Sequence, residues 1–303
     1  MITTKGGKEG PVRLDYNTYV GFKSVPSTDV LSTVDEWASY VRSNTADGEL
    51  TDRMKYIEQM GTYTDWEKVM MEGGMIQSHA LSARGGTKRT KFRASASYLN
   101  DEGVLLTDNY KKINFRLNVD TKINDRLSFG TTLNPSYTEQ RRFPIGVHDA
   151  IRQSPWLPIY LDEDNIQYVN RVRENGRWAD AQIGDYAMER MFDDYDLDTQ
   201  TSGLSGTDIS NTSNQGSYAK VVERDRRKME TKVYANIYLK YKIAKGLTFK
   251  QTLGGDYRYK KYANYIGVEA TRNGAGDSEA SLSTQSRYHL VSESTLNFNR
   301  KFG

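Results

Sequence analysis

No cysteine occurs in these 303 residues, which excludes a disulfide framework and any cysteine-ligated metal centre. Histidine is scarce. His79, His148 and His289 lie far apart, and neither a Ser-His-Asp arrangement nor an HExxH segment is present. The chain therefore reads as a non-enzyme, with no catalytic residue, no metal and no cofactor assigned. Proline is limited to 6 residues. No apolar run approaches the ~18 residues of a membrane helix. The opening Met-Ile-Thr-Thr-Lys-Gly-Gly-Lys lacks the apolar core of a signal peptide, so export would need a targeting segment upstream. A bias of charge is missing too. Basic residues number 42 and acidic ones 39, and the net charge of +3 gives no electrostatic case for nucleic acid.

What the chain has in quantity is tyrosine, 21 residues, and glycine, 25, against an apolar share of only 37%. The mean hydropathy is −0.74. Such a balance suits strands with one wet face, and aromatic enrichment also fits a membrane interface. A period of two is plain in the stretch from Leu81 to Tyr137. Ile113, Phe115, Leu117 and Val119 alternate with Asn114, Arg116, Asn118 and Asp120. Successive side chains of a strand point to opposite faces, so one face is apolar and the other polar. Leu127, Phe129, Thr131, Leu133 and Tyr137 repeat the pattern.

In chain order, strands are expected at Val12 to Phe22, Ile76 to Gly85, Lys91 to Asn100, Tyr110 to Asp120, Leu127 to Tyr137, Lys232 to Ile243, Leu247 to Tyr257 and Arg287 to Asn299. The glycines before the first form a turn rather than a phosphate loop, since no Gly-Lys-Ser/Thr follows. Between the first two strands, Ser32 or Thr33 can cap a helix from Val34 to Arg42, with Asp35 or Glu36 completing a capping box. A second short helix spans Trp66 to Met71. Long loops are expected over about 24–75, 139–228 and 259–285. Short connections at Thr87 to Thr90, Thr121 to Asp125 and Ala244 to Gly246 alternate with longer ones. Strands of ten residues exceed the usual ~5–6 and match the ~9–11 that cross a bilayer with tilt. Outer-membrane barrels keep short turns at one end and long loops at the other. Two readings stand: an all-β, antiparallel transmembrane barrel in part, about eight strands, or a soluble β-rich carbohydrate-binding or adhesion module.

Three segments bear a resemblance. Ile2-Thr-Thr-Lys-Gly-Gly-Lys-Glu-Gly-Pro, with the strand ending Tyr19-Val-Gly-Phe, resembles the plug-to-barrel junction of SusC/RagA-type TonB-dependent transporters. Gln77-Ser-His-Ala-Leu-Ser-Ala-Arg-Gly-Gly with Ala94-Ser-Ala-Ser-Tyr-Leu-Asn-Asp-Glu-Gly resembles an early barrel hairpin of that family, and Tyr110 to Val119 the strand after it. The resemblance is specific over the first 140 residues or so and loose beyond. It implies a 22-stranded barrel with long extracellular loops in the outer membrane of a Gram-negative bacterium. Residues 1–11 would end the plug and residues 12–303 would begin the barrel, so the chain reads as an internal fragment. The implied work is TonB-driven import of oligosaccharides or peptides. Its implied partners are a SusD-like surface lipoprotein, the TonB complex through segments outside this chain, and outer-membrane lipid.

Candidate binding residues fall in the stretch 139–228. Trp156, Tyr160, Trp178 and Tyr186 can stack on sugar rings or pack against a lipoprotein lid; the plainer reading is that they fold the loop on itself. Asp194, Asp196 and Asp198 have the spacing that opens a calcium loop. Thr199 stands where the glycine is needed and Ser205 where the glutamate is, so a solvated acidic loop is the better reading. Arg224-Asp-Arg-Arg-Lys228 can face anionic lipopolysaccharide or be a solvated charge run. His79, placed near a strand end, reads as structural.

Overall fold

A computed structural model describes residues 7, 9–26, 33–151, 153–209, 216–271, 274 and 276–300. Ser32 and most of the opening segment 1–11 lie outside them, as does the chain end 301–303. Eight long strands form one antiparallel sheet: β1 (Gly10–Lys23), β2 (Gly74–Gly86), β3 (Thr90–Glu102), β4 (Asn109–Lys122), β5 (Leu127–Arg141), β8 (Arg224–Ala244), β9 (Leu247–Ile266) and β10 (Glu279–Phe298). Two short strands, β6 (Tyr195–Asp196) and β7 (Thr201–Ser202), pair in the connection between β5 and β8. The long strands lie in the order β1-β2-β3-β4-β5-β8-β9-β10, each beside its neighbour in sequence among the long strands. Among the described residues β1 and β10 have no partner on their outer sides, so the sheet is open.

Register follows the alternation. Leu117 stands opposite Ala94 on one side and Leu133 on the other, while Asn118 stands opposite Arg93 and Thr132. Farther along, Ile237 faces Thr131 and Leu253. One face therefore carries a continuous apolar stripe from Leu14 and Val20 on β1 to Leu290 and Leu296 on β10. It is open to the surroundings: Phe22 is 85% exposed and Leu290 80%. Among the described residues, neither buried hydrophobic cluster draws on the long strands. A soluble sheet would bury such a face, because exposed patches of this size mark an interaction surface or a membrane. The opposite face is polar and internally linked. Tyr238 donates to Asp120 at 2.6 Å across two intervening ladders. Its ring crosses Gly130, where an added Cβ would lie 2.2 Å from a ring carbon, so only glycine fits beneath it.

The connections divide by end. Residues 87–89, 123–126 and 245–246 turn at one end; residues 24–73, 103–108, 142–223 and 267–278 connect at the other. The last differs from the loop expected over 259–285. β9 runs to Ile266 and β10 starts at Glu279, and the two stay paired to their ends. β8 likewise starts at Arg224, so the basic run expected just before a strand is its first turn of the ladder. The reason is physical. Beyond the apolar band both faces of a strand are wet, so the hydrophobic alternation fades while the backbone pairing continues.

Helix α1 (Val34–Asn44) is capped as the sequence requires: the Thr33 hydroxyl accepts from the Glu36 amide at 3.2 Å, and the Glu36 carboxylate accepts from the Thr33 amide at 2.9 Å. α2 (Asp52–Met60), not expected from the sequence, ends on Gly61 with φ 64°. α3 (Trp66–Met70) starts at the expected residue.

If the apolar stripe meets lipid, Leu117→Arg should destabilise the assembled protein by about 2–4 kcal/mol and Asn118→Arg by much less. A folding titration in lipid with equal costs, or with the order reversed, would overturn the assignment of faces.

Candidate functional site

The two longest connections make one folded layer at the long-loop end. Its core joins Tyr56, Ile57 and Trp66 from residues 24–73 to Trp156, Leu157 and Phe192 from residues 142–223. Tyr56 stacks on Tyr195 with ring centres 4.4 Å apart, and Tyr168 closes edge-on at 5.2 Å. Backbone and side-chain bonds stitch the segments. The Thr64 hydroxyl donates to the Leu157 carbonyl at 2.8 Å, the Trp66 indole to Ser154 at 3.0 Å, and Arg53 to Ile209 at 2.9 Å. Such bonds satisfy polar groups that burial would otherwise leave unpaired.

The four aromatic candidates separate into two pairs. Trp156 is 3% exposed and Trp178 5%, so both are built into the core of the layer. Tyr160 is 43% exposed, and Tyr186 is half-buried beside it. Antiparallel backbone bonds set these two side by side: Leu161 N–H donates to Asp185 at 2.8 Å and Ala187 N–H to Ile159 at 3.1 Å. The rings stack with centres 5.3 Å apart at 25°. Tyr218, from the helix Ser217–Val222, meets Tyr160 edge-on at 5.8 Å. Sequence reading missed Tyr218, since no periodicity ties it to Tyr160, 58 positions earlier. The Tyr186 hydroxyl donates to Glu223 at 3.1 Å, and burial together with that carboxylate pushes its pKa above the ordinary tyrosine range.

Beside Tyr186 opens a cleft of about 390 Å³. Arg177, Trp178, Asp180, Asp185, Met188 and Glu269 line it. Aromatic rings beside carboxylates suit a neutral polar ligand, which stacks its apolar faces and donates its hydroxyls or amides. Burial raises the Glu269 carboxyl above its ordinary value; Asp185 adds to this and Arg177 opposes it.

The three alternating aspartates do not converge. Asp194 is bound by Arg173, which also reaches Asp208 at 3.0 Å and the buried Asp193 at 3.6 Å. Asp196 instead closes a turn, accepting from the amides of Asp198 at 2.9 Å and Thr199 at 3.0 Å. His79 sits well inside β2, not near its end, and its Nδ1 lies 2.8 Å from the Tyr16 hydroxyl and 3.0 Å from that of Thr18. It ties β1 to β2.

No protein-family model matches the chain. TonB-dependent receptor P3 of Formosa agariphila is 25% identical over 310 residues, which span all of this chain and 27% of that protein. TonB-dependent receptor SusC of Bacteroides thetaiotaomicron is 26% identical over 269 residues, 85% of this chain and 24% of that protein. The chain thus spans about a quarter of the length of these curated relatives. Among solved structures, the RagAB peptide importer in its closed-closed state superposes with a TM-score of 0.56 at 16% identity, over 98% of this chain and 42% of that one. Its open-open state gives 0.52 at 18% identity, over 87% and 29%. The likeness to these structures is one of fold.

Glu269, from the 267–278 connection, borders the layer at this cleft, and its raised carboxyl gives the layer a pH signature. The folded state holds that proton to a higher pH than the unfolded chain, so stability falls as pH rises from the ordinary glutamate range through the raised value. Glu269→Gln should flatten the fall. Tryptophan fluorescence reads this layer alone, because Trp37, Trp66, Trp156 and Trp178 all lie in the two longest connections. Urea titrations from about pH 4 to about pH 7 should show the parent losing stability relative to the variant; parallel curves would contradict it.

Proposed function

We propose that this chain, homologous along its whole length to TonB-dependent receptors of the SusC/RagA type, forms part of the barrel wall of an outer-membrane importer. The observation that carries the reading is the apolar stripe, continuous over eight strands, together with the division of connections by length between the two ends. Lipid requires the first, and a barrel made of hairpins with long loops on one side has the second. Receptors of this type transport and do not catalyse.

In its finer form, the reading places these strands in a 22-stranded barrel. Residues 1–11 close the plug, and the folded layer of residues 24–73 and 142–223 stands outside the cell. A wide lumen agrees with the long polar side chains of the inner face. Arg13, Arg84, Arg93, Arg116, Lys240 and Lys242 all point there, and a small closed barrel would have to bury them. The cargo is an oligosaccharide or a peptide, taken with a SusD-like lipoprotein as lid and driven through TonB. RagAB is a peptide importer, which gives the peptide arm its precedent. The group of exposed Tyr160 with half-buried Tyr186 and Tyr218 is the surface that meets cargo or lid; Trp156 and Trp178 belong to the core of the layer.

Replacing Tyr160, Tyr186 and Tyr218 together by alanine in the intact transporter should lower uptake or lid affinity by about tenfold or more, at the usual worth of aromatic contacts. The barrel should still assemble and show heat-modifiable mobility. Unchanged uptake with unchanged lid affinity would reject this role for the group.

A further inference from the structure

The cations of Arg224 to Lys228 form a run in sequence but not in space. β8 alternates, so Arg224, Arg226 and Lys228 fall on the inner, polar face, while Asp225 and Arg227 fall on the side of the apolar stripe. On the stripe side the run's two charges pair with each other: Asp225 meets Arg227 at 2.6 Å, and also reaches Arg141 at 3.2 Å. A contact with lipopolysaccharide by the whole run is therefore ruled out by direction.

Among the described residues none of Arg224, Arg226 and Lys228 has such an ion pair; the nearest inner-face carboxylate on β8, Glu230, pairs with Lys232 and Arg258 instead. Arg224 donates Nη2 to the Ala270 carbonyl at 2.9 Å, and its Nε is buried with no hydrogen-bond partner. Arg226 donates Nη1 to the Pro144 carbonyl at 3.3 Å. The Lys228 ammonium stands 5.9 Å from the centre of the Tyr262 ring. With Arg142, and with Arg227 at the strand edge, these residues line a recess of about 370 Å³ beside Tyr262, and no carboxylate is among its lining residues. Like charges gathered in a half-enclosed space raise one another's free energy, and an anion relieves it. Guanidinium forks, unlike ammonium points, match the paired oxygens of a carboxylate. The recess lies where β8 meets the loop layer, so it borders the entrance of the lumen.

We propose that this recess binds carboxylate groups of a soluble acidic oligomer as it enters the lumen. The proposal rests on the importer reading, which makes the inner face the ligand's path. It goes further by assigning the ligand a negative charge and by fixing its first charged contact at Arg224 and Arg226. The acidic, aromatic cleft beside Tyr186 takes neutral parts of the ligand, so the two sites divide the recognition by charge.

Isothermal titration of the intact transporter in detergent tests this, with trigalacturonate as probe and maltotriose as neutral control. Trigalacturonate should bind the parent protein and weaken as salt is added. Arg224→Gln with Arg226→Gln should weaken it about tenfold or more. Lys242→Gln, at the far end of the same face, should change it by less than about twofold, since a charge that distant is screened by salt. Arg226→Gln alone, at an exposed position, carries the test should the double variant fail to assemble. Absence of trigalacturonate binding to the parent, equal binding in the arginine variants, or an equal loss in Lys242→Gln would overturn the proposal. Membrane fractionation of the parent is scored separately. A parent protein missing from the outer membrane would reject the importer reading, whatever the titration gives.

Discussion

Within hydrocarbon, every backbone N–H and C=O must find a partner in the protein, because an unpaired group costs several kcal/mol there. In this chain the ladder between neighbouring strands supplies the partners, and register decides what the ladder does with the side chains. A slip of one residue would turn Arg116 and Asn118 onto the stripe and bring Leu117 inside. The lapse in the β4–β5 ladder is informative. Pairing skips from Asn114↔Ser136 to Leu117↔Leu133, and the gap faces Pro135, which has no N–H to give. The strands hold register across it, and β8 continues unbroken on the other side of Pro135. On the inner face beside the gap, Arg116 Nε and Asn134 Oδ1 are buried without protein partners.

The layer above the sheet obeys a different rule. It is a small globular unit, built by aromatic and methionine burial, capped helices and cross-linking hydrogen bonds. Its core holds Tyr56, Trp66, Met70 and Phe192, each fully buried. The sheet supplies anchor points and the layer supplies shape. Helix Ser217–Val222 hands the chain directly to β8, so the tyrosine group and the inner arginines of β8 are set by one continuous piece of backbone.

Legibility in the sequence followed the same division. The eight strands, their faces and the segregation of connections could be read because an apolar face backed by a polar one imposes a sharp period of two. The Thr33 cap and the start of α3 at Trp66 could be read because helix termini have few chemical solutions. The upper parts of β8, β9 and β10 could not. With water on both sides, Arg226 and Lys260 satisfy a strand as well as Leu253 does, and nothing in the pattern marks where pairing stops. The loop layer was least legible. Tyr56 against Tyr195, or Tyr160 against Tyr218, are contacts across long stretches of chain, and no local periodicity encodes them. That Trp156 and Trp178 are buried while Tyr160 is open depends on this nonlocal packing.

The most direct test of the account is a single-cysteine scan from Ile113 to Asp120 in the assembled protein, with no cysteine to remove from these 303 residues. Each position carries a spin label, and its relaxation is read with oxygen, which concentrates in lipid, and with a water-soluble nickel chelate. The account predicts strict alternation: Ile113, Phe115, Leu117 and Val119 relaxed by oxygen, Asn114, Arg116, Asn118 and Asp120 by nickel. Accessibility that does not alternate, or nickel access at every position, would contradict a strand that stands between lipid and a wet lumen.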